Sequence, residues 1–280
     1  MPPLVTVSWL ASQLHQGGIV VVDASWYLPG TGHDAETEYR TAHIPGAVRL
    51  DWASVSDDAT DLPHMLPSPQ RFAAAMEALG VGPQHAVIVY DGSGTNLSAP
   101  RAWWMFRAFG HDRVAVLDGG FHSWAGATRP VQIGPANRPT ARYPVPTLNA
   151  ALVRDRSAID SIVAGDDPSQ VLDCRPTSRF LGDEPEPRPG LRRGHIPGSR
   201  NIPHVEFTDP ETHELLRPPA LRNLLASRGL DPGKPIVASC GSGMSAAVAA
   251  LAIEVLRGAG DIVGPPVSIY DGSWAEYGRS

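Results

Sequence analysis

Residues 236–256 have the sequence IVASCGSGMSAAVAALAIEVL. The apolar run at its start predicts the end of a buried strand, and the alanine-rich run over residues 246–256 predicts a helix. A short turn with two glycines lies between them, where consecutive backbone N–H groups can point into one concavity at the positive end of the helix. Because such a concavity stabilises a thiolate, Cys240 is a candidate nucleophile. From this pattern alone, a buried and unreactive thiol is the alternative.

The composition excludes several classes of function. The chain has 280 residues, enough for two domains, and its 23 basic and 29 acidic residues give a net charge of −6 with no basic stripe for nucleic acid. Its two cysteines, Cys174 and Cys240, argue against a disulfide scaffold and a cysteine-rich metal site. The N-terminus lacks a signal-peptide pattern, and no apolar run has the roughly 20 residues of a membrane span. We therefore expect a soluble, cytoplasmic protein without a nucleic-acid or membrane partner.

The two halves of the chain repeat the same landmarks at a spacing of roughly 150 residues. The motif His43-Ile44-Pro45-Gly46 returns as His195-Ile196-Pro197-Gly198, and Asp118-Gly119 returns as Asp271-Gly272. A steady spacing of this length indicates a duplicated domain. Since strands alternate with helices in each half, we predict two tandem α/β domains, each with a mainly parallel sheet covered by helices on both faces.

The predicted domains are residues 1–126 and 148–280, joined by a proline-rich linker over 127–147 that lies extended on the surface. Ligands of such sheets bind at the carboxyl ends of the strands, where Cys240 is placed. In the repeat, Cys240 corresponds to Asp91. Only the second domain can therefore use a thiol, and we expect the first domain to wall the cleft and to offer His64 to it.

The turn discriminates between reactions of a cysteine. A phosphatase with a Cys-x5-Arg loop needs an arginine at the position that Ala246 occupies here, so hydrolysis of phosphate esters is disfavoured. Acyl transfer by a Cys-His pair has no local sequence signature and stays open. In the remaining interpretation Cys240 accepts a sulfur atom as a persulfide and passes it on.

The duplicated domain, the paired HIPG motifs, the loop CGSGMSA at residues 240–246 and the segment YDGSWAEY at 270–277 resemble the two-domain rhodanese family of sulfurtransferases. The resemblance covers nearly the whole chain. In that family a CRKG loop is typical of enzymes that use thiosulfate, and a CGSG loop is typical of those that use 3-mercaptopyruvate. Thiosulfate is a compact dianion that benefits from cations beside the nucleophile, whereas mercaptopyruvate, with its carboxylate several bonds from the sulfur, needs arginines farther off.

The resemblance also implies roles for particular residues. Arg179 and Arg188 match the arginines that bind the substrate carboxylate, which suits the planar guanidinium. Ser242 and His64 match residues that polarise the substrate or protonate the leaving enolate. Many relatives carry an acidic residue where this chain has Ala53, which argues against a complete serine–histidine–carboxylate relay. The other loop residues predicted to line the substrate site are Gly241, Gly243, Met244 and Ser245.

The sequence thus predicts a sulfurtransferase that moves sulfur from 3-mercaptopyruvate through a Cys240 persulfide to cyanide or to a thiol acceptor, such as a thioredoxin-like protein. No metal or organic cofactor is expected. Two alternatives remain open: a thiosulfate:cyanide sulfurtransferase, and a non-catalytic persulfide carrier.

Overall fold

The computed structural model describes residues 1–279, which form two compact units. The first unit contains Met1–Ser56, Pro67–Leu148 and Thr208–Leu215; the second contains Asp57–Leu66, Asn149–Phe207 and the chain from Leu216 onward. Each half of the sequence therefore contributes one short segment to the unit formed mainly by the other half. We call these the 57–66 segment and the 208–215 segment. The predicted domain boundaries do not include this exchange.

The first unit is built on a five-stranded sheet with the strand order β1-β5-β4-β2-β3, and all its strand pairs are parallel. Its strands are β1 (Leu4–Val5), β2 (Ile19–Asp23), β3 (Val48–Arg49), β4 (Ala86–Tyr90) and β5 (Val114–Leu117). Its helices are α1 (Val7–Gln13), α2 (Ala35–Thr41), α3 (Pro69–Ala78), α4 (Ala99–Ala108) and α5 (Gly120–Gly126).

The second unit repeats this topology, with the strand order β6-β10-β9-β7-β8 in a parallel sheet. Its strands are β6 (Val153–Arg154), β7 (Gln170–Asp173), β8 (Arg200–Asn201), β9 (Ile236–Ser239) and β10 (Ser268–Tyr270). Its helices are α6 (Arg156–Ala164), α7 (Thr177–Leu181), α8 (Pro218–Ser227), α9 (Ala246–Gly258) and α10 (Ser273–Tyr277), with 3₁₀ turns at Ala150–Leu152 and His204–Phe207. The predicted tandem α/β architecture is confirmed.

The central strands explain why these sequences form parallel sheets. Every residue of β4 is buried, and so is every residue of β9. A strand covered on both faces needs a continuous apolar run rather than an alternating one, which is what AVIVY and IVAS supply. Because β4 and β9 are central, the residues that follow them lie in the middle of the carboxyl edge of each sheet.

The proline-rich segment 127–147 follows the surface of the first unit. Arg138 Nε donates a hydrogen bond to the carbonyl of Gly80 at 3.1 Å. The ring of Tyr143 is buried against Phe72, with 5.7 Å between the ring centroids. The segment has almost no regular secondary structure, and these contacts fix its path.

Within residues 1–279, no helix combines the length and the apolar character needed to cross a membrane.

Candidate active site

Cys240 directly follows β9, and its side chain is only 2% exposed. The Cys240 turn, residues 240–245, ends where helix α9 begins at Ala246. Gly243 has a φ of +75°, a left-handed conformation that glycine adopts without steric cost, and this allows the tight curl. The Cys240 turn therefore lies at the N-terminal end of α9, where the helix dipole places partial positive charge.

Residues 273–275, at the start of helix α10, hold the backbone of the Cys240 turn by hydrogen bonds. The N–H groups of Trp274 and Ala275 donate to the carbonyls of Cys240 and Gly241, each at 2.9 Å. The N–H of Cys240 donates to Ser273 Oγ at 3.2 Å. Ser273 is fully buried with a φ of +49°, a conformation that is uncommon for a residue other than glycine. Ser273 is not among the predicted site residues, because a serine in a DGSW motif gives no sign of its backbone conformation.

The 57–66 segment brings His64 to the Cys240 turn. His64 Nδ1 lies 3.1 Å from the Oγ of Ser242, a buried residue. Two residues later, the N–H of Leu66 donates to Asp271 Oδ2 at 2.8 Å. The structure thus places two of the three predicted catalytic residues, His64 and Ser242, in hydrogen-bond contact, and Ser242 lies on the same turn as the third, Cys240.

Arg188 lies beside the same turn. A side-chain carbon placed on Gly241 would be 4.0 Å from Arg188 Nη1, so this guanidinium is the group that faces the glycine next to the nucleophile. Burial lowers the pKa of Arg188, while the charges of Cys240 and Glu186 oppose that shift. The sequence led us to expect arginines at some distance from the nucleophile; Arg188 stands closer than that.

Arg179 belongs to an ion cluster around Glu186. The Glu186 carboxylate, which is 3% exposed, lies 2.6 Å from Arg175 Nη1 and 3.7 Å from Arg179 Nη1. Arg175 is also paired with Asp173 at 2.6 Å, and its guanidinium lies 4.2 Å from the centroid of the Trp274 ring. Glu186 therefore holds Arg179 near the site. Sequence reasoning missed Glu186 and Arg175, since the run DEPEPR does not show which of its charges point inward.

The other predicted loop residues differ in their exposure. Met244 and Gly243 are buried in the turn, whereas Gly241 and Ser245 are partly exposed. Cys174, the other thiol, is fully buried at the end of β7. Burial raises the pKa of Cys174 well above its ordinary value, and the charges of Cys240 and Asp173 add to that effect. Cys174 is therefore a protonated thiol at neutral pH.

A buried thiol at a helix N-terminus, with an arginine beside its turn and a serine of that turn in contact with a histidine, is a site for covalent group transfer by cysteine. A family model described as the rhodanese-like domain matches residues 6–127 and 158–280. The chain belongs to the rhodanese-like family.

The relatives narrow the class further. The 3-mercaptopyruvate sulfurtransferase of Homo sapiens is 42% identical over 279 residues, which cover 98% of this chain and 91% of the relative. The protein of the same name from Escherichia coli K12 is 40% identical over 275 residues, which cover 98% and 94%. The crystal structure of SseA from Escherichia coli superposes with a TM-score of 0.85 at 37% identity, covering 99% of this chain and all (100%) of that one. The predicted family and the predicted sulfurtransferase class are confirmed.

Proposed function

We propose that the protein takes sulfur from 3-mercaptopyruvate as a persulfide on Cys240 and passes it to a thiol or to cyanide. One observation carries the proposal: Arg188 and the Ser242–His64 pair both lie at the turn that carries the buried Cys240. The similarity to proteins named 3-mercaptopyruvate sulfurtransferase supports the choice of donor.

In the first half-reaction the Cys240 thiolate attacks the sulfur of mercaptopyruvate. A sulfur–sulfur bond forms, the carbon–sulfur bond breaks, and its electron pair goes to carbon as the enolate of pyruvate. Arg188, with Arg179 held by Glu186, binds the substrate carboxylate. The outer sulfur keeps the proton of the substrate thiol. Because the carbon takes the electron pair that the sulfur gives up, the step needs no external oxidant or reductant.

The enolate then takes a proton at carbon to give pyruvate. Ser242 and His64 are in contact at 3.1 Å and can deliver that proton from the hydroxyl, with the imidazole replacing it. Such proton transfer contributes about 10²–10⁴-fold to a rate when it is well positioned. This contribution depends on the donor, because only a leaving enolate requires the proton.

In the second half-reaction the acceptor attacks the outer sulfur, the sulfur–sulfur bond breaks, and Cys240 leaves as a thiolate. A thiol acceptor, including the exposed thiol of a thioredoxin-like protein, becomes a persulfide, and cyanide becomes thiocyanate. The positive end of the α9 dipole, at which Cys240 lies, stabilises the sulfur anion in both half-reactions.

Thiosulfate is a second candidate donor, and the position of Arg188 favours it. A guanidinium beside the nucleophile can bind a compact dianion, a task that a CRKG loop gives to its own cations. The leaving group is then sulfite, which needs no proton. On this ground we expect weaker but measurable turnover of thiosulfate.

The test compares kcat/KM for both donors with cyanide as the acceptor. We expect a preference for mercaptopyruvate, complete loss of turnover in Cys240→Ser, and near-normal turnover in the matched control Cys174→Ser. A preference for thiosulfate would contradict the assigned donor. A single thiocyanate per chain with no further turnover would contradict the enzyme and indicate a persulfide carrier.

We also propose a cytoplasmic location, which the two unpaired cysteines favour because they suit a reducing compartment. Fractionation of cells that express the full chain tests it. Recovery of the protein with the membrane or the organelle fraction would contradict this part of the proposal.

A further inference from the structure

The turn after β10, residues 271–275, contacts both parts of the candidate active site. Through Ser273, Trp274 and Ala275 it bonds the backbone of the Cys240 turn. Through Asp271, which is 4% exposed, it accepts the N–H of Leu66 at 2.8 Å. The nucleophile and the segment that carries His64 are therefore fixed by neighbouring residues of one short turn.

His64 needs such an anchor because its backbone conformation is unfavourable. Its φ is 59°, in the left-handed region that few residues other than glycine adopt, and such a conformation persists only when the surrounding structure holds it. The 57–66 segment is closed on itself by the bond from Asp57 N–H to the Met65 carbonyl at 3.0 Å. Its ion pair between Asp61 and Arg279 is exposed to solvent and so contributes little. Asp271 supplies the buried anchor.

The first unit contains an equivalent hydrogen bond from a backbone N–H to an aspartate, but no cysteine nucleophile. Asp118, which follows β5, accepts the N–H of Leu215 at 2.8 Å through its Oδ1. Two residues earlier in that segment, His213 also has a φ of 59°. Since the first unit has no cysteine on its turn, the bond to Asp118 serves the architecture alone. Asp118 is therefore a matched control for Asp271.

We propose that Asp271 is a positioning residue for sulfur transfer: by accepting the Leu66 N–H, it keeps His64 within hydrogen-bond distance of Ser242. This inference rests on the proposed role of His64 and Ser242 in protonating the enolate. Its consequence is selective. Loss of the anchor lowers turnover of mercaptopyruvate, whose leaving group is an enolate. Turnover of thiosulfate and the reactivity of the Cys240 thiolate are unchanged.

The experiment compares Asp271→Ala, Asp271→Asn, His64→Asn and Asp118→Ala in the full chain. Asparagine is chosen at His64 because it tolerates a positive φ. For each variant we would measure kcat and KM with mercaptopyruvate, turnover of thiosulfate, and the rate at which iodoacetamide alkylates Cys240. The alkylation rate reports whether the Cys240 turn is intact, including in a variant with reduced stability.

For Asp271→Ala we expect kcat with mercaptopyruvate to fall by at least about tenfold, since a displacement of about 1 Å can cost 10²-fold. Its KM, thiosulfate turnover and alkylation rate should stay close to those of the unmodified protein, because none of the three depends on His64. Asp271→Asn keeps an acceptor oxygen and should recover part of the loss. His64→Asn should reproduce the selective loss, and Asp118→Ala should leave both donors unaffected.

Three results would overturn the inference, and they separate it from the proposed function. A normal Asp271→Ala beside an impaired His64→Asn would show that Asp271 does not position His64, while the proposed function stands. An equal loss for both donors and for alkylation would show that Asp271 only supports the fold of the Cys240 turn. If His64→Asn is itself normal, the proposed protonation is wrong, and Asp271 has no catalytic group to position.

Discussion

The Asp91 turn, residues 91–96, and the Cys240 turn occupy equivalent positions in the two units. They differ in the group that faces the N–H groups at the start of the following helix. Asp91 Oδ1 accepts the N–H of Ser93 at 2.9 Å, and its Oδ2 accepts those of Ser98 and Ala99 at 2.9 and 2.8 Å. The first unit thus fills its anion site with a carboxylate of its own. A thiol replaces that carboxylate at Cys240, and the anion must come from the thiolate or the persulfide.

The side chains beside the two turns also differ in charge. A side-chain carbon on Gly92 would be 2.9 Å from the hydroxyl of Tyr27, whereas the corresponding neighbour of Gly241 is Arg188. Tyr27 is hydrogen-bonded to the carboxylate of Glu38. Burial raises the pKa of Tyr27, with Glu38 adding to the shift, so this phenol stays neutral. The duplicated fold therefore supplies an anion site twice, and the second copy sets Arg188 and a thiol at it.

The largest expected effect comes from replacing Cys240 with aspartate, the residue at the equivalent position of the first unit. Cys240→Asp should abolish turnover of both donors, a loss of more than about 10³-fold, because no nucleophile for sulfur remains. Its carboxylate should fill the anion site as Asp91 does, so its Tm should match or exceed that of Cys240→Ala. Kinetics and thermal unfolding check the two parts. A Tm well below that of Cys240→Ala would contradict the idea that this turn accepts an anion.

Next in size is the removal of the cation that distinguishes the units. Arg188→Ala should raise KM for mercaptopyruvate by about 10–100-fold, equivalent to the roughly 1.5–3 kcal/mol of a hydrogen bond to a charged group. Steady-state kinetics measures this. Arg222→Ala, which removes an arginine from a surface ion pair in the same unit, is the control. An unchanged KM in Arg188→Ala would show that the carboxylate binds elsewhere.

A smaller effect is expected from the reverse exchange. Asp91→Cys removes a buried carboxylate that caps α4, and should lower the free energy of unfolding by about 2–4 kcal/mol. In a Cys240→Ser background it should restore no sulfur transfer, since Glu38 and Tyr27 stand where the second unit has Arg188. Urea unfolding and the thiocyanate assay check both statements. Turnover in the double variant would show that any thiol on this turn suffices.

The smallest effect concerns Cys174. Because burial raises its pKa, the thiolate that iodoacetamide requires is scarce at Cys174, and alkylation at pH 8 should stop at one group per chain. Peptide mapping should locate that group on Cys240. Comparable labelling of Cys174 in the folded protein would contradict its assignment as a protonated, inert thiol.

The sequence predicted most of the architecture because its signals are local. Buried strands such as AVIVY and the glycine turns are continuous in sequence, and the repeat fixed their equivalence. The exchange of the 57–66 and 208–215 segments could not be predicted, since it depends on hydrogen bonds such as Leu66 to Asp271 between residues far apart in the chain. For the same reason the Glu186 cluster was missed: which charges of the run DEPEPR at residues 183–188 face inward is decided by packing.

The most direct test of the central claim is to mix the protein with mercaptopyruvate without an acceptor and to locate the sulfur by mass spectrometry. The account predicts the mass of one added sulfur atom per chain on the peptide containing Cys240, with one pyruvate released, and its loss as thiocyanate on adding cyanide. Pyruvate release without added sulfur on Cys240, or sulfur found on Cys174, would contradict the account.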